Sequence, residues 1–163
     1  MHRTAAPLLG LMAVFLLAGP SLAESNEKFL TDAINTNDAE IAIGKLAMTK
    51  ARSPAVRSYA EVLVTDHTKG NVEAKAVARE LHIKPPVGLP AAAKADYTKL
   101  KGLTGTQFDQ EFVGMMVAGH KQAIAEFQDQ AKTGSKPTAS LANATLPTLE
   151  KHLTMGEALV GKQ

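Results

Sequence analysis

The sequence predicts an all-α protein built as a four-helix bundle, and three observations carry that prediction. Apolar residues recur at spacings of three and four rather than two. Aromatic residues make up only 4% of the 163 positions, so the core is drawn from Ala, Val, Leu, Ile and Met, which suit helices. Proline and glycine gather mainly between the periodic segments, where they separate one helix from the next. There is no cysteine, so apolar packing or a bound ion has to hold the fold.

The N-terminus reads as a leader. His2 and Arg3 precede an apolar run from Leu8 to Ala18, followed by Gly19, Pro20, Ser21, Leu22 and Ala23. That is a positive start, an apolar stretch shorter than the roughly 20 residues a membrane span needs, and a small-residue cleavage pattern. The expectation is a cleaved secretory signal over residues 1–23, Glu24 as mature start, and a periplasmic location. Without cysteine, a lipid-modified N-terminus is excluded. Residues 24–163 then form one domain of common size. Eighteen basic and sixteen acidic side chains nearly balance, and no basic cluster interleaved with aromatics appears, which argues against a nucleic-acid partner. No membrane span is expected in the mature chain.

The first helix is expected from Asn26 to Lys50, with Leu30, Ala33, Ile34, Ile41, Leu46, Ala47 and Met48 at helical period. Beside them runs a row at 33, 37, 40, 44 and 47, of Ala, Asn, Glu, Gly and Ala. Small neighbours let the Glu40 carboxylate point inward. Ala51, Arg52 and Ser53 suffice only for a tight hairpin, so the second helix is an antiparallel neighbour. It opens with Ser53 as N-cap and Pro54 at the first position. Its row is Val56, Ala60, Leu63, His67, Gly70, Ala74, Val77 and Leu81, all apolar or small except the central His67. It ends near a surface His82, before Pro85 and Pro86.

Residues 84–106 bracket a short helix, Ala91 to Leu100, with prolines and glycines. A link this long fits the single crossover of a ferritin-like bundle. The third long helix is expected from Thr106 to Lys132, with Thr106 and Asp109 resembling a capping box and Gly134 as the stop. Its row is Phe112, Met116, His120, Ala123, Phe127 and Ala131. The fourth runs from Thr138 to Val160 with Ala142, Thr145, Leu149, His152, Gly156 and Leu159, and Pro147 predicts a kink or a restart.

Glu40, His67, His120 and His152 thus come one from each long helix. Each lies about 12 to 15 residues in, roughly 20 Å along an axis rising 1.5 Å per residue. Helix midpoints share one height whichever way the helices run, so the four side chains can meet in one layer. Three imidazoles and a carboxylate are the donor set of a single transition-metal ion such as zinc, copper or nickel. Asp66 points elsewhere than His67 and suits a supporting role, accepting a proton from a ligand histidine of another helix; Asn37 can do likewise. Glu61, Asp109, Glu111 and Glu150 read as solvent-facing charges.

The segments FLTDAINTNDAEIAIGKLA, AVRSYAEVLVTDHTKGNVEAKAVAREL, FDQEFVGMMVAGHKQAIAEF and LPTLEKHL resemble the bacterial family named domain of unknown function 4142. Members of that family are often labelled predicted outer-membrane proteins. The resemblance covers nearly all of residues 24–163, with the Asp66–His67 pair and the two later histidines its most specific features. It implies an exported, ferritin-like four-helix domain of unsettled activity.

A ferritin-like di-iron centre needs Glu-x-x-His on two helices. Here Val64 stands three before His67 and Leu149 three before His152, so a di-iron centre is not expected. No alternating lipid-facing strands occur, and no Gly-x-Ser-x-Gly or Cys–His pattern supports metal-free catalysis. The leading expectation is a periplasmic bundle holding one ion through Glu40, His67, His120 and His152, with Asp66 behind them. The alternative is a non-enzymatic envelope or stress-related interaction domain whose His/Asp/Glu layer is purely structural. An enzyme would require an open coordination position, and protein partners are not identified.

Overall fold

The computed structural model describes residues 22–162, and five helices make up the secondary structure there: α1 (Leu22–Lys50), α2 (Pro54–Glu80), α3 (Ala91–Gly102), α4 (Gly105–Thr133) and α5 (Lys136–Leu159). The leader expected over residues 1–23 lies almost wholly outside them. No helix among the described residues is long and apolar enough to cross a membrane.

Hydrogen bonds between helix ends fix the topology. Asn26, at the start of α1, accepts from Gln130 at the end of α4 and from Thr138 at the start of α5. Asp109, at the start of α4, binds the α1–α2 turn at the opposite end. So α1 and α5 run one way and α2 and α4 the other. Residues 81–104 therefore traverse the bundle and carry α3, as a ferritin-like crossover does. The α1–α2 and α4–α5 hairpins make the most extensive contacts, and α2 against α5 joins them.

The inward rows match the expected periodicity. Val56, Ala60, Leu63, His67 and Ala74 of α2 are buried, as are Phe112, Met116 and His120 of α4 and Ala142, Leu149 and His152 of α5. In α1 the buried face is Leu30, Ile34, Glu40, Ile43 and Ala47, whereas Met48 is exposed. The small row of α1 packs closely: a Cβ on Gly44 would stand 2.7 Å from a Val64 methyl. The apolar core forms two clusters. One includes Val56, Tyr59, Leu63, Phe108 and Phe112 near the α1–α2 turn; the other includes Leu30, Ile34, Ala74 and Leu141 near the far end. The polar layer lies between them.

Local details differ from expectation. The chain is already helical at Leu22, the first described residue, rather than from Asn26, and Leu22, Ala23 and Glu24 are good helix formers. Helix α2 ends at Glu80, and His82 adopts φ 56°. The Ile83 amide donates to the Ala78 carbonyl and the His82 amide to that of Arg79, a Schellman closure with His82 in place of the usual glycine. Gly134 has φ −71°, so it is not a left-handed stop. Glycine is needed there for room, since a Cβ would lie 2.6 Å from the Gln130 carbonyl oxygen and 2.7 Å from the Thr138 hydroxyl. Helix α5 runs through Pro147 without a break; the lost bond is on the exposed side of the helix, where water can serve the freed carbonyl.

The largest correction concerns Asp109. It is 1% exposed rather than solvent-facing, and it forms no capping box with Thr106. Its carboxylate accepts from the Arg52 amide at 2.9 Å and the Ser53 amide at 2.7 Å. Ser53 in turn makes no side-chain cap. The free amides at the entry to α2 are thus satisfied from another helix.

Candidate metal centre

Four helices bring Glu40, His67, His120 and His152 into one buried layer. The three imidazole centroids are 5.2–5.6 Å apart. The outward nitrogen of each ring has a partner that fixes its proton. His67 Nδ1 lies 2.8 Å from Asn37 Oδ1, an acceptor, so it carries hydrogen and leaves Nε2 a bare lone pair. His120 Nδ1 lies 2.8 Å from the Met116 carbonyl oxygen, which leaves its Nε2 bare as well. His152 Nε2 donates to Asp66 Oδ2 at 2.9 Å, which leaves Nδ1 bare.

With each ring neutral, the inward atoms are therefore all acceptors. His120 Nε2 and His152 Nδ1 face each other at 3.2 Å. Glu40 Oε2 lies 2.8 Å from His67 Nε2 and 3.7 Å from His120 Nε2. The 2.8 Å approach lacks hydrogen-bond alignment, so both Glu40 Oε2 and His67 Nε2 are buried without a hydrogen-bond partner. One ligand nitrogen from each of the three histidines lies within 4.8 Å of the other two. A tetrahedral ion with bonds of about 2 Å separates its ligand atoms by about 3.3 Å, so the site needs little contraction to close on a cation.

Charge in the layer follows from burial. Burial and the neighbouring His67 and His120 lower the His152 pKa to about 4 against the opposing pull of Asp66, so the ring is neutral at physiological pH. Burial works to raise the Glu40 carboxyl, but the protonated forms of His67, which would donate to it, and of the other two imidazoles would outweigh burial and hold the pKa below its usual value. Asp66 is likewise pushed up by partial burial and brought down further by His152 and by Lys151, whose ammonium lies at 3.2 Å.

Asp66 and Asn37 thus stand behind His152 and His67 respectively. Two supports escape sequence reasoning. The Met116 carbonyl acts from the backbone, one turn before its histidine. Tyr59, beside Ala60 on the widened apolar face of α2, donates its hydroxyl to the His152 carbonyl oxygen at 3.0 Å. Gly156 makes room for it, because a Cβ there would lie 2.9 Å from that hydroxyl. Burial and the nearby Glu40 charge raise the Tyr59 phenol well above its usual range, so it remains a donor. Glu61 and Glu150 are exposed and Glu111 pairs with Lys99, all away from the layer.

The geometry defines an all-α bundle whose buried histidine triad can hold a metal ion. The chain belongs to the family described as domain of unknown function (DUF4142), whose model matches residues 16–159. Among solved structures it is similar to a DUF305 fragment from Deinococcus radiodurans, at 14% identity and a TM-score of 0.75, covering 85% of this chain and 97% of that one. It is also similar to a DUF305 protein from Streptomyces coelicolor, at 12% identity and a TM-score of 0.73, covering 87% and 94% respectively. At such identities the likeness is one of fold. No curated protein matches.

Proposed function

We propose that this protein is an exported, periplasmic helical bundle that binds one transition-metal ion through Glu40, His67, His120 and His152. The observation that carries this reading is the convergence of acceptors. Three ring nitrogens and a carboxylate oxygen face one another, and with the rings neutral all four are acceptors, a buried cluster that is costly until a cation joins it. Imidazole donors suit zinc, copper or nickel. The single carboxylate, with no glutamate to bridge two ions, argues against a di-iron centre. Export rests on the leader-like residues 1–23.

The test is elemental analysis of the mature chain, purified from its native envelope, loaded and desalted. One ion per chain is expected, and His67→Ala or His120→Ala abolishes retention. Metal content below stoichiometry, or retention unchanged by both substitutions, sinks the reading.

The purely structural alternative draws on the 3.2 Å His120–His152 and 2.8 Å His67–Glu40 approaches, each of which could share a proton instead. A chelator would then leave the melting temperature unmoved, whereas a bound ion ties stability to its free concentration.

A further inference from the structure

We propose that the cavity beside the polar layer is a ligand pocket, taking a small uncharged nitrogen donor on an apolar body that binds the ion as a fifth ligand beside the four protein ones. This rests on the metal reading above.

A cavity of about 240 Å³ extends from the layer along the half of the bundle that holds the smaller apolar cluster. Phe29, Ala33, Ala123, Phe127, Leu141 and Leu149 form its apolar walls. Glu40, His67 and His152 border it and His120 does not. The layer therefore has one side backed by protein and one side facing the cavity. Of the three buried polar side-chain atoms without a hydrogen-bond partner among the described residues, Glu40 Oε2 and His67 Nε2 belong to residues on the cavity side, and Asn71 Oδ1 does not. Glu40 and His67 are both more than nine-tenths buried.

The apolar walls distinguish a ligand pocket from a mere passage for ions, which would gain nothing from phenyl rings. A dry cavity of about 150 Å³ accommodates benzene. This one has room for a ring with a second small ring or short chain. Phe29 and Phe127 meet edge to face at 4.9 Å, leaving aromatic surface on the wall. Exposed Lys28, Glu126 and Asp129, with half-buried Asp32, line its solvent side. Lys28 is already paired with Asp32, so Glu126 and Asp129 leave the cavity mouth acidic and disfavour the entry of an anionic ligand. An uncharged azole or comparable nitrogen donor, with its apolar body along the Phe29–Phe127 wall, meets all three conditions.

The experiment uses the full mature chain loaded with cobalt(II), whose visible absorption reports coordination. Cobalt per chain is measured first, then the spectrum is followed during titration with 4-phenylimidazole, imidazole and phenylacetate. The expected result is a spectral change with 4-phenylimidazole at concentrations about tenfold or more below those imidazole needs, because the phenyl group is buried. Phenylacetate should leave the spectrum unchanged. Ala123→Phe should retain cobalt and lose the response; Ala33→Leu fills the opposite wall if the first variant does not fold. Stoichiometric cobalt with no response to saturating 4-phenylimidazole overturns the pocket alone, as does a response that survives in a folded, filled variant. Failure to take up cobalt overturns the metal reading and this one together.

Discussion

Replacing Glu40 by glutamine separates the two readings of the layer, because they give opposite signs in the metal-free protein. Glu40 Oε2 lies 2.8 Å from a bare His67 nitrogen, both buried and neither hydrogen-bonded. An amide NH₂ there, once the side chain turns to bring it into line with the ring lone pair, can donate to His67 Nε2. Glu40→Gln therefore exchanges an acceptor–acceptor contact for a neutral hydrogen bond, worth about 1 kcal/mol. In a domain of this size that raises the metal-free melting temperature by roughly 2–4 °C. With metal the sign reverses. An ion present at 100 times its dissociation constant stabilises the native state by about 2.7 kcal/mol. If losing the anionic ligand weakens binding about a hundredfold, only about 0.4 kcal/mol of that remains. Differential scanning calorimetry of both proteins, with chelator and with zinc, checks the pair of signs. A Glu40→Gln variant that keeps the full zinc shift shows that Glu40 is not a ligand. A loss of more than about 2 kcal/mol in chelator shows a proton-bridged Glu40–His67 ion pair and returns the layer to a structural role.

Three further outcomes follow. Asp66→Ala removes the acceptor that sets the His152 tautomer; metal affinity should fall about 10- to 100-fold while the fold persists, as read by competition titration with a chromophoric chelator. In metal-free protein, the His152 ring has its pKa lowered from 6.5 to about 4, so the unfolded chain takes up its proton first. Stability is then full above pH 6.5 and declines as pH falls toward 4; urea unfolding midpoints that are flat from pH 7 to pH 4 contradict this. Asp109→Ala strands two amides at the α1–α2 turn and should destabilise by about 3–5 kcal/mol in chemical denaturation, with or without metal. A loss under about 1 kcal/mol would mean that water replaces the carboxylate there.

Much of the fold was legible in the sequence because each long helix has a local period. The row around His67 and the rows around His120 and His152 face inward as their spacing requires, and the proline-rich link between them had to be a crossover. Helix ends were less legible. Gly134 ends α4 for want of space beside Gln130 and Thr138, and His82 takes the left-handed position that glycine more often fills; neither is visible in a hydrophobic pattern.

The sequence by itself determined that Glu40, His67, His120 and His152 sit on inward faces near helix midpoints, since that depends only on residue number and helical geometry. It could not determine which ring nitrogen faces inward. That depends on the Met116 carbonyl, Asn37 and Asp66, each of which fixes one proton. Nor could it reveal that Asp109 is buried, for its partners are backbone amides 56 and 57 positions away. Periodicity assigns a residue to a face. Only tertiary packing decides the partner, because hydrogen bonds and lone pairs are short-ranged and directional, and the groups that satisfy them come from other helices.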